Sequence, residues 1–207
     1  MIVWDFITQN TWDITRSSAF IALACYTVSV AWGISLTARS FRPPVAPQFD
    51  YHRFVSVIGL LALLTHVGTL LADRFARVEV GTLLGLGPSW AVRTGVAAFW
   101  LTIALPLSFR LKQRKWLSQR FWRRFHYLGY SVWALALAHG LWVGTDTGSV
   151  YALLAYGASA AAVAGTAWWR WFEVVPKAAQ KRPPVAVEPD QAHIPLRPES
   201  RPERQAA

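Results

Sequence analysis

The sequence predicts an all-α protein: an integral membrane helical bundle of about five transmembrane helices. Three observations carry that expectation. Apolar residues make up 54% of the 207 and charged residues only 15%, against roughly a quarter charged in soluble domains. Five apolar runs approach the roughly 20 helical residues that a hydrocarbon core of about 30 Å requires. Cationic residues gather in alternate connections between those runs, as they do in cytoplasmic loops.

Residues 1–17, "MIVWDFITQNTWDITRS", are expected to form a short outer segment lying in the interface. It carries Asp5 and Asp13 and lacks a basic leading region. It therefore does not read as a cleaved signal peptide, and the first helix is expected to stay in the protein. The apolar runs are 18–37, 54–72, 88–109, 125–143 and 149–169. The third is the weakest. Arg93 near its start reads as interfacial, and Pro106 near its end as a kink or an exit. The outer loop 73–87 is long and half apolar, and is expected to dip back against the bundle. The loop "GTDTGS" at 144–149 reads as a tight turn that makes its flanking helices antiparallel neighbours. The bundle thus spans 18–172 and a tail follows over 173–207. That tail holds seven of the twelve prolines, no glycine and no periodicity, which predicts disorder. His193 within it reads as a solvated residue. The twelve tryptophans, many beside apolar runs, read as interfacial anchors. The one cysteine, Cys25, lies inside the first run and reads as a packing residue. A lone cysteine excludes an intrachain disulfide and a Cys-rich metal cluster.

A formal charge of +10 raises nucleic acid as a partner, but its distribution argues for topology. Of the 21 Lys and Arg, 17 fall in the connections 39–53 and 110–124 and from Arg170 onward, all on one side of a five-helix bundle. Arg16, Arg74, Arg77 and Arg93 make up the other side. The positive-inside rule then puts the N-terminus outside and the C-terminus in the cytoplasm of a multi-pass cell-membrane protein, bacterial inner membrane by type. Membrane lipid is the expected environment, with anionic lipid a secondary partner.

Two stretches, "HRFVSVIGLLALLTH" and "HYLGYSVWALALAH", each begin and end with histidine. Ionisable residues inside membrane helices usually mark function, although a single histidine near a helix end is more often interfacial. His52 and His66 are 14 residues apart, or roughly 21 Å of helix. His126 and His139 are 13 apart, or roughly 19.5 Å. Both helices run from inside to outside, so His52 and His126 share an inner level and His66 and His139 an outer one. Neutral imidazole ligates iron well and is a common axial ligand of heme. The two levels therefore supply four ligands for two hemes. Zinc fits worse, because two histidines at each level without Cys, Asp or Glu cannot fill a tetrahedral site. A proton relay would want intramembrane carboxylates, and none lies deep in these helices.

On an ideal helix His52 and His66 share a face, with Gly59 midway, where a missing side chain would leave room for a macrocycle. His126 and His139 end about 140° short of a whole number of turns. A crossing angle, overwinding or a bend near Gly129 must absorb the difference. Arg53, Arg123 and Arg124 inside, and Arg74, Arg77 and Arg93 outside, are candidates to pair with heme propionates; interfacial anchoring is the plainer role for each. Trp133, midway between His126 and His139, reads as core packing or as a residue between the hemes.

The paired spacing resembles the transmembrane domain of the ferric reductase and NADPH oxidase family. The stretches "HRFVSVIGLLALLTHVGTLL", "RRFH" and "AHGLWVGTDTG" carry the likeness, which covers roughly residues 18–172. It implies two bis-histidine b-type hemes passing single electrons across the membrane to ferric iron, oxygen or a periplasmic redox partner. A glycine-rich nucleotide loop is missing from the cytoplasmic segments. The electron donor is therefore expected to be a separate cytoplasmic flavoprotein. In size the chain is similar to the heme subunit of bacterial methionine sulfoxide reductase, which implies an alternative, a quinol-linked subunit serving a periplasmic reductase. A heme-free transporter or assembly subunit is the alternative from another class.

Overall fold

The computed structural model describes residues 10–37, 46–73, 76, 78–86 and 89–174. Among them every regular element is helical: α1 (Thr11–Thr37), α2 (Ala46–Ala72), a π-helical turn (Thr82–Leu86), α3 (Trp90–Gln113), α4 (Gln119–His126), α5 (Leu128–Val143), α6 (Val150–Trp169) and a closing π-helical turn (Arg170–Val174). Among the described residues four helices are long and apolar enough to cross a membrane: Thr11–Thr37, Pro47–Ala72, Trp90–Gln113 and Val150–Phe172. Large apolar side chains stand exposed along them, including Phe54 at 63%, Leu61 at 55% and Leu154 at 67%. A surface that is greasy all round belongs in lipid. The chain is a multi-pass membrane protein with an all-α bundle.

The boundaries differ from the predicted ones for identifiable reasons. Helix α1 begins at Thr11, so residues 11–17 belong to the first helix and not to a separate segment. Its polar residues are absorbed by the helix itself. Thr15 and Ser18 donate their hydroxyls to the carbonyls of Thr11 and Ile14, at 2.7 and 2.6 Å, and Asp13 sits in the first turn, where the helix dipole favours an acid. Helix α2 starts at Ala46, with Pro47 in the first turn, where its missing N–H is no loss. Pro106 is neither an end nor an exit, because α3 continues to Gln113. The fourth apolar run is divided at Tyr127, which keeps helical angles (φ −63°, ψ −17°) between α4 and α5. Helix α5 alone has 16 residues, about 24 Å, short of a full crossing. The tail from 175 on, His193, Arg39 and Arg42 lie outside the described residues.

Side-chain bonds fix the direction of each helix. Thr11 donates to the carboxylate of Asp73 (2.6 Å), and Arg16 meets Asp146 in the 144–149 turn. The start of α1, the end of α2 and the α5–α6 turn therefore share one end of the bundle, the end predicted to face outward. At the opposite, inner end Trp32 donates to the carbonyl of Gln48 (3.1 Å), and Arg170 meets Thr37. Successive long helices thus alternate in direction. The turn closes as predicted: Ser149 N–H bonds Asp146 O (2.7 Å), and the Ser149 hydroxyl caps α6 at Ala152 N–H (3.3 Å). Of the predicted outer loop, the described segment 78–86 folds back over α3, where Trp100 donates to the carbonyl of Leu83 (2.7 Å).

Helix α1 is the centre of the bundle. It packs along α2 and also meets α5 and α6, while α3 packs along α5. Buried Tyr26 and Val132 form the middle of the core with Leu63, Leu101 and Leu105 around them. A second cluster joins Leu23, Ala152 and Tyr156. Helices α2 and α5, which carry His66 and His139, scarcely touch. Helix α1 and the core side chains hold them apart.

Candidate functional site

The four histidines occupy two ends of this bundle. At the inner end, His52 on α2 faces His126 at the end of α4, with ring centroids 6.1 Å apart and planes inclined at 78°. A metal–imidazole bond is about 2 Å long, and a ring nitrogen lies about 1.1 Å from the centroid of its ring. Two imidazoles that held one metal ion between them would therefore sit about 6 Å apart, centroid to centroid. The observed separation has that size. His52 Nδ1 lies 3.3 Å from the Ser29 hydroxyl, which also pairs with Ser56 at 2.8 Å. His126 stacks on Trp122 (5.2 Å, 25°), and Lys112 Nζ lies 5.0 Å from the Trp122 ring centre. The indole nitrogen of Trp122 is buried without a hydrogen-bond partner. Buried N–H groups are nearly always satisfied, so this one marks a place where an acceptor is wanted.

At the outer end, His66 and His139 line a common cavity of 390 Å³, within the range of about 300–1,000 Å³ typical of small-molecule sites. His66 Nδ1 lies 2.9 Å from the carbonyl of Thr15, and His139 Nδ1 lies 2.9 Å from the carbonyl of Ala91. A carbonyl only accepts, so Nδ1 is the protonated nitrogen in both rings. Each neutral ring then keeps its lone pair on Nε2, the arrangement that a carbonyl accepting from Nδ1–H imposes on metal-binding histidines. Two details make this possible. Gly95, one turn beyond Ala91 on α3, lets the His139 ring in: a Cβ there would lie 2.6 Å from Nδ1. Thr15 is held by its own hydroxyl, which donates to Thr11 O and pairs with Thr69 at 2.7 Å.

The phase problem on the second histidine pair is partly solved by overwinding. Tyr127 N–H bonds Arg124 O (3.2 Å) and Tyr130 N–H bonds Tyr127 O (3.1 Å), both three residues back. Such 3₁₀-type turns advance about 120° per residue against about 100° in an α-helix. A few residues so wound recover on the order of 60° of the shortfall.

Other predicted residues fall differently. Gly59 leaves no room for a macrocycle, because a Cβ there would already lie 3.0 Å from Cys25 and 3.1 Å from Tyr26. Its role is the close approach of α1 and α2, with Cys25 packing as expected. Trp133 turns to α6 and donates to Ser159 (3.0 Å), which pairs with Thr27 (2.7 Å); it is a packing residue. Arg53, Arg123 and Arg124 are exposed at the inner end. Arg93 is exposed in the first turn of α3, and Arg74 and Arg77 lie outside the described residues. Sequence reasoning missed Gly95, Thr15 and Ala91. Small and backbone groups carry no chemical signature, and only the fold puts them beside a histidine. Among the described residues no cluster of three or more His, Cys, Asp or Glu forms a metal site; pairs of imidazoles are the ligand sets on offer. Comparison with protein-family models, curated proteins and solved structures gives no match.

Proposed function

We propose that this protein carries single electrons across a bacterial cell membrane through two b-type hemes, each held by two imidazoles. His52 and His126 would hold the inner heme, and His66 and His139 the outer one. The observation that carries the reading is the outer pair: two histidines lining one cavity, both with Nδ1–H on a backbone carbonyl and Nε2 available. The 6.1 Å separation of His52 and His126 supports the same role inside. Bound in such a site, heme iron supplies reversible one-electron chemistry.

The protein's own part is to orient the imidazoles and keep water out. Tyr26 and Val132 lie between the two levels and are buried, at 8% and 3%, so an apolar layer separates them. The donor in this reading is a separate cytoplasmic flavoprotein. The surface that supports it is the inner end of α3 with α4, where Arg114, Lys115, Arg120, Arg123 and Arg124 are exposed beside Trp116 (72%) and Phe121 (53%). A basic face with aromatic side chains suits an acidic protein, through steering that weakens with salt. The acceptor is outside: ferric iron, oxygen or a periplasmic redox protein.

The purified protein should show a low-spin heme b spectrum and two hemes per chain. His66→Ala and His139→Ala should remove one spectral component, and His52→Ala and His126→Ala the other. One heme or none in the unmodified protein refutes the paired reading. NADPH alone should leave the hemes oxidised, dithionite should reduce them, and an added flavin reductase should restore reduction at a rate that falls as salt rises.

A further inference from the structure

The outer cavity has one cation among its described lining residues, Arg16, and one acid, Asp146. The rest of the wall is almost entirely apolar or hydroxylic. Arg16 follows Thr15, whose carbonyl accepts from His66, and Asp146 follows α5, which carries His139. Both charges therefore hang from the elements that hold the outer imidazoles. Their geometry is specific. Arg16 Nε donates to Asp146 Oδ2 at 2.6 Å, and one terminal nitrogen donates to the Tyr151 hydroxyl at 3.0 Å. The other, Nη1, has Asp13 at 3.7 Å, beyond hydrogen-bond length. Side-chain exposure is 35% for Arg16, 16% for Asp146 and 75% for Asp13.

A guanidinium has five N–H donors in a fixed fork. Here Asp146 and Tyr151 engage one edge and hold the group at the cavity rim, while Nη1 retains donor capacity. Resting on the two-heme reading, we infer that Arg16 is the residue that binds a carboxylate of the outer cofactor, and that Asp146 positions it. A macrocycle with two carboxylates can enter a cavity of this composition only with its charged edge at the rim, because a carboxylate buried without a partner is strongly disfavoured. Arginine is the side chain best matched to a carboxylate, often in a two-pronged contact. Arg93, expected from the sequence, is not among the described residues lining the cavity.

Arg16→Gln, Arg16→Lys and Asp146→Asn, made in the full chain and purified with heme b, test the inference by heme-to-protein ratio and by redox titration of both hemes. Arg16→Gln should lower the ratio from two toward one, with loss confined to the component that His66→Ala also removes. Outer heme that remains should titrate at a lower potential, because a positive charge that stabilised the reduced and oxidised forms unequally through its carboxylate is gone. Arg16→Lys should keep more outer heme than Arg16→Gln. Asp146→Asn should also lower outer-heme content, by less than Arg16→Gln, since Arg16 loses the partner that holds it. The inner heme serves as the control for folding, and its potential and content should not move. If Arg16→Gln leaves the outer heme unchanged, or if Asp146→Asn costs more outer heme than Arg16→Gln, Arg16 is only a strut and the inference is wrong while the two-heme reading stands. An unmodified protein without two hemes removes both.

Discussion

Replacing Gly95 by alanine adds one methyl group directly against the imidazole of His139. The new Cβ would lie 2.6 Å from Nδ1, 2.7 Å from Cε1 and 2.9 Å from Cγ. Ordinary contact needs about 3.5 Å or more, so the ring must withdraw by on the order of 1 Å. The bond from Nδ1 to Ala91 O, now 2.9 Å, then passes beyond hydrogen-bond length. The carbonyl is not stranded, because Thr94 also donates to it at 2.7 Å. The imidazole N–H is the group left unpaired, at about 1–3 kcal/mol. Overpacking adds to this, and the better helix propensity of alanine offsets about 1 kcal/mol. A net effect of about 1.4 kcal/mol is tenfold, and loss of the group that hydrogen-bonds a ligand histidine weakens metal binding by roughly 10–100-fold. The outer heme should therefore be lost on dilution or detergent washing, while the inner one stays. Absorbance-monitored heme titration of Gly95→Ala beside Gly68→Ala measures this. Gly68 lies two residues from His66, and a Cβ there would meet nothing within 4 Å, so its variant should behave like the parent. Equal affinity of Gly95→Ala and the parent for the outer heme would show that the bond to Ala91 does not hold His139 in place.

Ser159→Ala removes the shared partner of Trp133 and Thr27. It should destabilise the bundle in detergent by about 0.6–1.7 kcal/mol, the range for hydrogen bonds between membrane helices, read as a lower midpoint of unfolding with heme content unchanged. Lys115 has φ 62°, a left-handed conformation that disfavours a side chain by about 1 kcal/mol. Lys115→Gly should raise stability by up to that amount, seen as a small upward shift of the same midpoint. In a Cys25→Ser background, Thr147→Cys should label from outside the cell and Asp190→Cys only after the membrane is permeabilised; outer labelling at 190 would invert the topology and the naming of the two ends.

Sequence alone settles the solvent of this protein and the chemistry it presents. Runs of apolar residues long enough to cross lipid must be helices, because a backbone without water satisfies itself only in that way. The turn at 144–149 and the alternating direction of the helices follow from that pattern and from turn chemistry. The placing of His52 with His126, and of His66 with His139, at two ends also follows from counting residues, since rise per residue is nearly constant. Helix ends were less legible. Thr15 and Asp13 look like surface residues in a composition window, but in the fold they belong to α1, where the Thr15 hydroxyl bonds Thr11 O and Asp13 sits in the first turn. What only the tertiary structure decides is contact between helices. Which carbonyl faces which imidazole depends on helix rotation and crossing, and no local pattern encodes either. Gly59 and Gly95 are the same residue in the sequence. In the fold, one brings α1 against α2, and the other lets a histidine reach across to α3. The difference lies wholly in what each neighbouring helix places opposite the missing side chain.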